Sequence, residues 1–381
     1  MSKEMEAYQA PLLREEIGAL PLDDQRRVAF LSANRYSSTW VTAVGVVDGG
    51  SLSNDELTAT AADYYGLPQP AVAPYAKEGR TLRTNNRRSN GRAVDVYGHV
   101  LRATALPGGS GSTSGWHLVH NGNLEVLTAV ARVAGAVARK EPRGLLTSLL
   151  DTPLQARAAA SVRSGNAQER ELWQQLIPDL HVTHGGKEKL YDLKCINFCQ
   201  TRYGRMQRAA PAQADAANHR AGAVATSYLA RAQNLDRREA GARPTQVGPV
   251  ETALNNYGGV TGLCLGHYGE ASDTVEEYLR WCAAIAAAAC WKRHGYATEK
   301  HATGAFLSCF RHRVGLEHAR LKARHLHLNL QHVEGAEGNA QAQTAEQAEQ
   351  RAGMARGMRA RKPHHFRLPH TRGWSGRFRP M

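Results

Sequence analysis

The sequence predicts an α/β fold with a central mixed sheet flanked by helices and a helical C-terminal extension. Two features carry this prediction. Gly185-Gly186 lies between two strand-like runs and marks a β-hairpin. Long stretches with apolar residues at helical spacing lie on both sides of that hairpin. The chain has 381 residues, of which 42% are hydrophobic, and this is enough for a sizeable core.

The N-terminal region, residues 1–93, is predicted to be a helical connector. A rough apolar stripe predicts a helix and then a loop over residues 1–45. A good helix start at Ser53 precedes a helix stop at Gly66. Residues 69–95 are basic and show no clear periodicity, so we expect a loop or linker there.

Residues 94–210 are predicted to hold the central sheet. Residues 94–101 favour a strand. A helix is expected to start near Asn121, because one face carries apolar residues at helical spacing: Leu124, Leu127, Val130, Val133 and Val137. Gly135 weakens the end of this helix. Residues 145–175 are predicted to be helical up to the hairpin, where Pro178 ends the helix.

The hairpin determines which side chains face each other. A two-residue Gly-Gly turn pairs residues across the two strands: His184 with Lys187, Leu180 with Tyr191, and Asp179 with Asp192. Directly opposed residues lie about 4.5–5.5 Å apart. Asp192 and Lys194 are two residues apart on one strand and therefore point to the same face. Two carboxylates and a lysine are predicted to converge.

Residues 211–333 are predicted to form the helical extension, with helices over 213–239, from Asp273 onward, and over roughly 303–330. Asp273 is expected to cap its helix, with Glu276 reaching back in a capping box. Residues 334–381 are rich in Gln and Ala and then in Arg, His and Pro, which predicts a disordered basic tail.

The charge favours a polyanion as partner. The net charge is +14, and residues 351–381 contribute eight Arg and one Lys without any acidic residue. Nucleic acid is the commonest partner of such a chain, although many basic proteins never bind it.

The six cysteines are sparse, and the N-terminus lacks an apolar leader. We therefore expect a reducing compartment, nucleus or cytoplasm rather than secretion, and no membrane contact.

The convergent carboxylates predict a divalent-metal site. Mg²⁺ prefers oxygen ligands; Asp179 and Asp192 supply two, and the Leu193 carbonyl can supply a third. Mn²⁺ is an alternative ion. Lys194 can orient a water nucleophile or offset charge that builds up on a phosphate. An Asp-x-Lys tripeptide alone is common in strands, so the prediction depends on Pro178-Asp179 lying in register on the opposite strand.

Pro178-Asp179 with Asp192-Leu193-Lys194 resembles the PD-(D/E)xK nuclease signature. The flanking residues resemble, more specifically, the restriction-like endonuclease region at the C-terminal end of some non-LTR retroelement polyproteins. The resemblance covers about residues 30–310 and is specific at 178–194. Elsewhere it rests on short matches: Ser32-Ala33-Asn34, Trp40 to Ala43, Tyr65 to Pro68, Asp95 to Leu101, His120-Asn121 and Glu141-Pro142.

The resemblance implies a restriction-endonuclease-like sheet and Mg²⁺-dependent cleavage of DNA. It implies four catalytic residues: Asp179, Asp192, Lys194 and a third acid. Glu141 is the candidate for that acid and Glu125 is its competitor, with an ordinary exposed glutamate as the alternative for each. His99 and His120 are interpreted more readily as structural histidines than as ligands. The tail is predicted to contact phosphates or to act as a nuclear targeting signal, with a solvated tail as the equal alternative. The residues concerned are Arg351, Arg356, Arg359, Arg361 and Lys362.

The chain also departs from that family. Tyr97 stands where the family has a knuckle cysteine, and Val119 stands where it has arginine. No Tyr-x-Asp-Asp polymerase motif occurs, so a reverse transcriptase would have to act in trans as a partner.

Three hypotheses follow from the sequence. The first is a metal-dependent DNA endonuclease of mobile-element origin, and the second is a catalytically inactive nucleic-acid-binding module of retroelement origin. The third is a basic structural protein whose helices over residues 273–330 mediate assembly. Convergence of the Asp179, Asp192 and Glu141 carboxylates would favour the first hypothesis over the second.

Overall fold

The computed structural model describes residues 15–21, 23–43, 51–84, 87, 89–104, 115–163, 173–174, 176–199, 203 and 216–336. Within these ranges the helices are α1 (Gln25–Ser32), α2 (Asn54–Tyr65), α3 (Ala73–Lys77), α4 (His99–Ala103), α5 (Gly115–Val133), α6 (Thr152–Arg163), α7 (Ala216–Glu239), α8 (Pro249–Asn255), α9 (Asp273–Cys290) and α10 (Glu299–Leu330). The strands are β1 (Val137–Lys140), β2 (Leu180–His184), β3 (Lys187–Cys195) and β4 (Val260–Leu265), and a 3₁₀ turn lies at Thr147–Leu149.

The four strands form one mixed sheet in the order β1-β2-β3-β4. Strand β2 pairs antiparallel with both β1 and β3, whereas β3 and β4 pair in parallel. One face of the sheet joins an apolar cluster with α5, α9 and α10, and the other face packs on α6, α7 and α8. The chain is therefore a mixed α/β protein whose sheet is flanked by helices, as the sequence predicts.

The predicted hairpin is confirmed. Gly185 and Gly186 have φ values of 57° and 74°, which a two-residue turn of this kind needs and which glycine adopts without strain. The strands pair in the predicted register, from His184 with Lys187 to Leu180 with Tyr191. Asp179 lies one residue before β2, at the position that continues this register toward Asp192.

Helix α7 lies close against the sheet at Gly262 of β4. A Cβ atom at this position would come 2.3 Å from the carbonyl oxygen of Ala221 and 2.8 Å from the side chain of Val224. The missing side chain therefore lets α7 approach the strand that neighbours Asp192 in the sheet, since Asp192 pairs with Gly262.

We expect Gly262→Ala to lower the free energy of unfolding by about 1–3 kcal/mol, the usual cost of overpacking a filled core. Urea unfolding measures this change. Gly222→Ala on α7 is the matched control, because nothing lies within 4 Å of a Cβ there and alanine favours the helix over glycine. A Gly262→Ala variant as stable as the parent would contradict the close approach of α7.

The strand predicted over residues 94–101 is wrong, because this segment turns into helix α4. The carboxylate of Asp95 accepts hydrogen bonds at 2.7–3.0 Å from three backbone N–H groups, those of Tyr97, His99 and Val100. Gly98 precedes the helix with a φ of 69°. The cap by Asp95 and the left-handed conformation of Gly98 favour a helix here despite the β propensity of the neighbouring residues.

Two helix predictions also need correction. Helix α5 ends at Val133, Gly135 turns the chain with a φ of 95°, and Val137 begins β1 with 58% of its surface exposed. The described start of the single helix predicted over residues 145–175 is divided into the 3₁₀ turn and α6, and residues 164–172 and 175 of that prediction lie outside the described residues. Pro153 is tolerated only in the first turn of a helix, which explains why α6 starts where it does.

The capping box predicted at Asp273 does not form. Ser272 is the residue that precedes α9, and its hydroxyl accepts a hydrogen bond from the Cys264 N–H at 3.0 Å. Glu276 instead accepts a hydrogen bond from Arg311 at 2.9 Å. The Asp273 carboxylate accepts a hydrogen bond from the Asn218 side chain at 2.9 Å, so distant residues bind both side chains of the predicted box.

The region predicted as a helical extension also supplies a strand. Strand β4 pairs with β3 in parallel, with Leu193 opposite Leu263. The helices predicted over 213–239 and 303–330 are confirmed as α7 and α10, and the start predicted at Ser53 is confirmed by its capping box. In the described part of the chain, no helix has both the length and the apolar character of a membrane span.

Candidate functional site

Asp192 lies in the centre of β3 and points toward α7. It is buried, and its Oδ1 atom lies 2.9 Å from the hydroxyl of Tyr228 on that helix. The ammonium group of Lys194 forms an ion pair with Oδ2. The alternation of a strand places Asp192 and Lys194 on one face, as predicted, and the parallel pairing with Gly262 leaves room for α7 above them.

Asp179 immediately precedes β2 and lies beside the same part of β3. Its Oδ2 atom accepts a hydrogen bond from the Leu193 N–H at 2.7 Å and lies 3.1 Å from Nε2 of His120 on α5. The N–H and C=O groups of one strand residue point toward the same neighbouring strand. The Leu193 carbonyl therefore faces the side on which Asp179 lies.

Tyr228 holds Asp192, and His120 and the Leu193 N–H hold Asp179, in each case through one of the two carboxylate oxygens. Within the described residues, the hydrogen bonds of Asp179 fall on Oδ2, which leaves Oδ1 available. The Oδ2 atom of Asp192 is buried and faces the ammonium group of Lys194, so a cation already balances its charge.

Burial and neighbouring charges shift the pKa values of Asp192 and His120. Burial raises the pKa of Asp192, and the neighbouring charge of Asp179 raises it further against the opposing effect of Lys194. Burial disfavours the charged form of His120, but the hydrogen bond and the charge of Asp179 outweigh it and raise the pKa of His120. A carboxyl group whose pKa is raised by burial and by a neighbouring carboxylate is typical of functional sites.

The donor set fits a hard divalent cation through oxygen atoms. Asp179 and Asp192 offer carboxylate oxygens, and the Leu193 carbonyl offers a third. Among the described residues, however, no three His, Cys, Asp or Glu side chains are grouped so that they could hold a metal ion. A site here would therefore depend on two carboxylates, main-chain oxygen and water.

Glu141, the predicted third acid, is not grouped with the other two carboxylates. It follows β1, its N–H donates to the Asp179 carbonyl at 2.9 Å, and its side chain lines the same cleft as Asp179. Its role as a catalytic acid stays a prediction. Glu125, its competitor, forms an ion pair with Lys140.

The other predicted residues lie elsewhere. His99 stacks on Phe198 with the ring centroids 4.0 Å apart, and burial lowers its pKa to about 4, as expected for a structural histidine. His120, in contrast, joins the site through Asp179. The predicted tail contacts lie outside the described residues: Arg351, Arg356, Arg359, Arg361 and Lys362.

Sequence reasoning missed Tyr228. Its hydroxyl lies 2.9 Å from Asp192 Oδ1 and 3.0 Å from the Ile177 carbonyl, so it links α7 to β3 and to the segment that precedes β2. A tyrosine on the apolar face of a helix is indistinguishable from core in the sequence. The glycine at position 262, opposite Asp192, is the nearest available signal of a close helix approach.

The chain matches no family model, no curated protein and no solved structure. The class that the fold and the site define is thus a mixed α/β protein with a buried carboxylate pair next to a lysine.

Tyr228→Phe should shift the pH dependence of metal binding. The Tyr228 hydroxyl lowers the pKa of Asp192, so its loss raises that pKa further. A cation needs the ionised carboxylate, and affinity therefore falls as pH falls through the pKa. We expect the midpoint of Mn²⁺ binding against pH to move to higher pH in the variant, as measured by calorimetric titration from pH 5 to 8. An unchanged midpoint would contradict the role given to this hydroxyl.

Proposed function

We propose that this protein is a metal-dependent endonuclease that hydrolyses DNA phosphodiester bonds and derives from a mobile element. One observation carries the proposal. The register of the hairpin brings Asp179 next to Asp192, with Lys194 on the same strand face, in the arrangement that the PD-(D/E)xK resemblance leads one to look for. The excess of basic residues, +14 overall, supports a nucleic acid as substrate.

Asp179, Asp192 and the Leu193 carbonyl would hold Mg²⁺ or Mn²⁺. When bound, the ion supplies Lewis-acid polarisation of the phosphate and lowers the pKa of a water. Lys194 then has two tasks: it offsets the negative charge that develops on the phosphate and orients the attacking water. Tyr228 and His120 keep the two carboxylates in place, each through one oxygen.

A second candidate is a nucleic-acid-binding module without catalysis. The observation that favours it is the missing third side-chain ligand among the described residues, together with the ion pair that Lys194 makes with Asp192. In this case the basic surface would bind DNA while Lys194 keeps the charge of Asp192 neutralised. A reverse transcriptase acting in trans is a proposed partner for either candidate.

Nicking of supercoiled plasmid with and without Mg²⁺ separates the two candidates. We expect Mg²⁺-dependent nicking by the parent and a loss of about 100-fold or more in Lys194→Ala, since removing one group that stabilises transition-state charge has this size of effect. Lys187→Ala is the matched control, because Lys187 is an exposed lysine at the tip of the same strand. It should nick like the parent.

DNA binding without any nicking would favour the inactive module. A parent that neither nicks nor binds DNA would contradict both candidates. Equal nicking by Lys194→Ala and the parent would remove Lys194 from the proposed catalytic set.

A further inference from the structure

Two half-buried tryptophans at and just after the C-terminal half of α9 each lie next to an exposed lysine. The ammonium group of Lys189 on β3 lies 5.0 Å from the ring centre of Trp281, and that of Lys292 lies 5.2 Å from the ring centre of Trp291. Cation–π attraction holds both ammonium groups near the helix. Among the described residues neither lysine forms an ion pair, so their N–H donors stay available for an anion.

The two lysines lie on the same side of α9. The helical backbone continues past Cys290, since the His294 N–H donates to the Cys290 carbonyl at 3.1 Å. Trp281 and Lys292 are eleven residues apart, which is about three helical turns, so both point to one side. The ten residues from one tryptophan to the other span about 15 Å, which corresponds to about four base pairs of a duplex.

Two further exposed cations lie nearby, and we call the four together the basic patch: Lys189, Lys292, Arg293 and Lys300. The loop after α9 folds back on the helix, since the Tyr296 N–H donates to the Trp291 carbonyl at 3.1 Å, and α10 follows this loop directly. Residues 278–298 contain no acidic side chain, whereas Glu277 and Glu299 flank the segment. The patch therefore carries an excess of positive charge.

Helix stability does not explain all four cations. Lys292 and Arg293 follow α9, where the helix dipole favours a cation. Lys300, in contrast, lies in the first turn of α10, where the dipole disfavours one. Among the described residues Lys300 forms no ion pair, so an external anion is the partner from which its charge would gain.

The basic patch lies on the sheet face opposite the carboxylate site. Lys189 precedes Asp192 by three residues, so the two side chains point to opposite faces, about 10 Å apart along β3. Helix α9 packs on the face of Lys189. Glu188, the neighbour of Lys189, points to the other face and lies 3.1 Å from His181. A polyanion on the patch therefore avoids the carboxylates of the site.

We propose that the basic patch is a second nucleic-acid surface, which binds the phosphate backbone of duplex DNA away from the site of cleavage. The inference takes DNA from the proposed function and goes beyond it by assigning a surface that needs no metal ion. Lysine and arginine bind phosphates without regard to base sequence, and each contact releases counterions. A duplex held here stays near the protein, while the patch contacts no reacting atom.

The patch suits DNA better than an anionic membrane. A helix that lies in a membrane interface buries large apolar side chains below the headgroups. The exposed residues of α9 between its two tryptophans include Ala284, Ala288 and Ala289, which are too short for this role. The tryptophan rings are half-buried in the core and lie next to lysines.

The test measures binding of a short fluorescein-labelled DNA duplex by anisotropy in EDTA, which excludes any contribution from a metal ion. We expect the double variant Lys292→Ala/Arg293→Ala to bind about tenfold more weakly at about 0.1 M salt. The slope of log affinity against log salt should fall in magnitude by about two, one for each cation removed. The matched control is Arg237→Ala/Arg238→Ala, which removes two adjacent exposed arginines from the last turn of α7 and should bind like the parent.

The nicking reaction gives a second readout. With Mg²⁺, Lys292→Ala/Arg293→Ala should raise KM about tenfold and leave kcat unchanged, because weaker phosphate binding affects substrate and transition state equally. Asp192→Asn should show the reverse pattern, with DNA bound in EDTA as tightly as by the parent and nicking lost.

Unchanged DNA binding by Lys292→Ala/Arg293→Ala overturns the patch proposal, as does an equal loss in the α7 control pair. Patch-dependent binding to vesicles of anionic phospholipid without binding to DNA would overturn it as well. A parent that nicks plasmid while the double variant binds like the parent refutes only the patch. A parent that binds DNA through the patch but never nicks refutes the nuclease and leaves the patch as a DNA surface.

Discussion

We expect Asp192→Asn to reduce the proposed Mg²⁺-dependent nicking by about 100-fold or more without a loss of stability. Asparagine keeps an oxygen for the Tyr228 hydroxyl but removes the charge that a divalent cation needs. Burial and Asp179 hold the pKa of Asp192 above its usual value, so its ionised form is disfavoured in the fold. The neutral amide should therefore leave the melting temperature unchanged or raise it, as is common when a strained functional group is removed.

Plasmid nicking and thermal unfolding of the same preparations check both parts of this prediction. Asp55→Asn is the control, because it removes an exposed carboxylate from the first turn of α2, away from the sheet. Undiminished nicking by Asp192→Asn would contradict the metal assignment. Destabilisation together with lost nicking would indicate a structural role for Asp192 instead.

Asp63→Ala should cause the largest loss of stability, about 3–5 kcal/mol, because it leaves buried cations without a partner. Asp63 on α2 lies 2.7 Å from Arg102 Nη1 and 3.1 Å from Lys322 Nζ, and both cations are buried. Burial opposes ionisation of Asp63, yet the charges of Arg102 and Lys322 hold its pKa below the usual value. Three elements, α2, α4 and α10, therefore depend on one carboxylate.

Urea unfolding at pH 7 measures this loss, with Asp55→Ala on the same helix as the exposed control. The lowered pKa of Asp63 also makes the stability of the protein depend on pH. The stabilisation by Asp63 is present above the ordinary carboxyl pKa and is lost as the pH falls through the lowered value. The parent should accordingly lose more stability in acid than Asp63→Ala does. A loss below about 1 kcal/mol, the level of exposed ion pairs, would contradict the buried triad.

The hairpin could be predicted from the sequence because its information is local. Two adjacent glycines specify the turn, and a turn of known length fixes which residues pair. The helices α7 and α10 could be predicted for a similar reason, since apolar spacing persists over many residues. Helix α4 could not, because one side chain, Asp95, decides it by capping three N–H groups against the β propensity of its neighbours.

In the candidate site, too, local sequence predicts some residues and long-range contacts decide the others. Asp179, Asp192 and Lys194 follow from the register of one hairpin. Tyr228 comes from a helix more than thirty residues away, and its approach depends on the empty space above Gly262. Strand β4 was missed because its pairing with β3 is a contact between distant segments, which no local pattern reports.

The direct test of the central claim is an anomalous difference map from crystals of the protein soaked in Mn²⁺. We predict a peak at the Asp179 and Asp192 carboxylates that is absent from crystals of Asp192→Asn. A map without a peak at these carboxylates, with Lys194 still paired to Asp192, would contradict the proposed metal site.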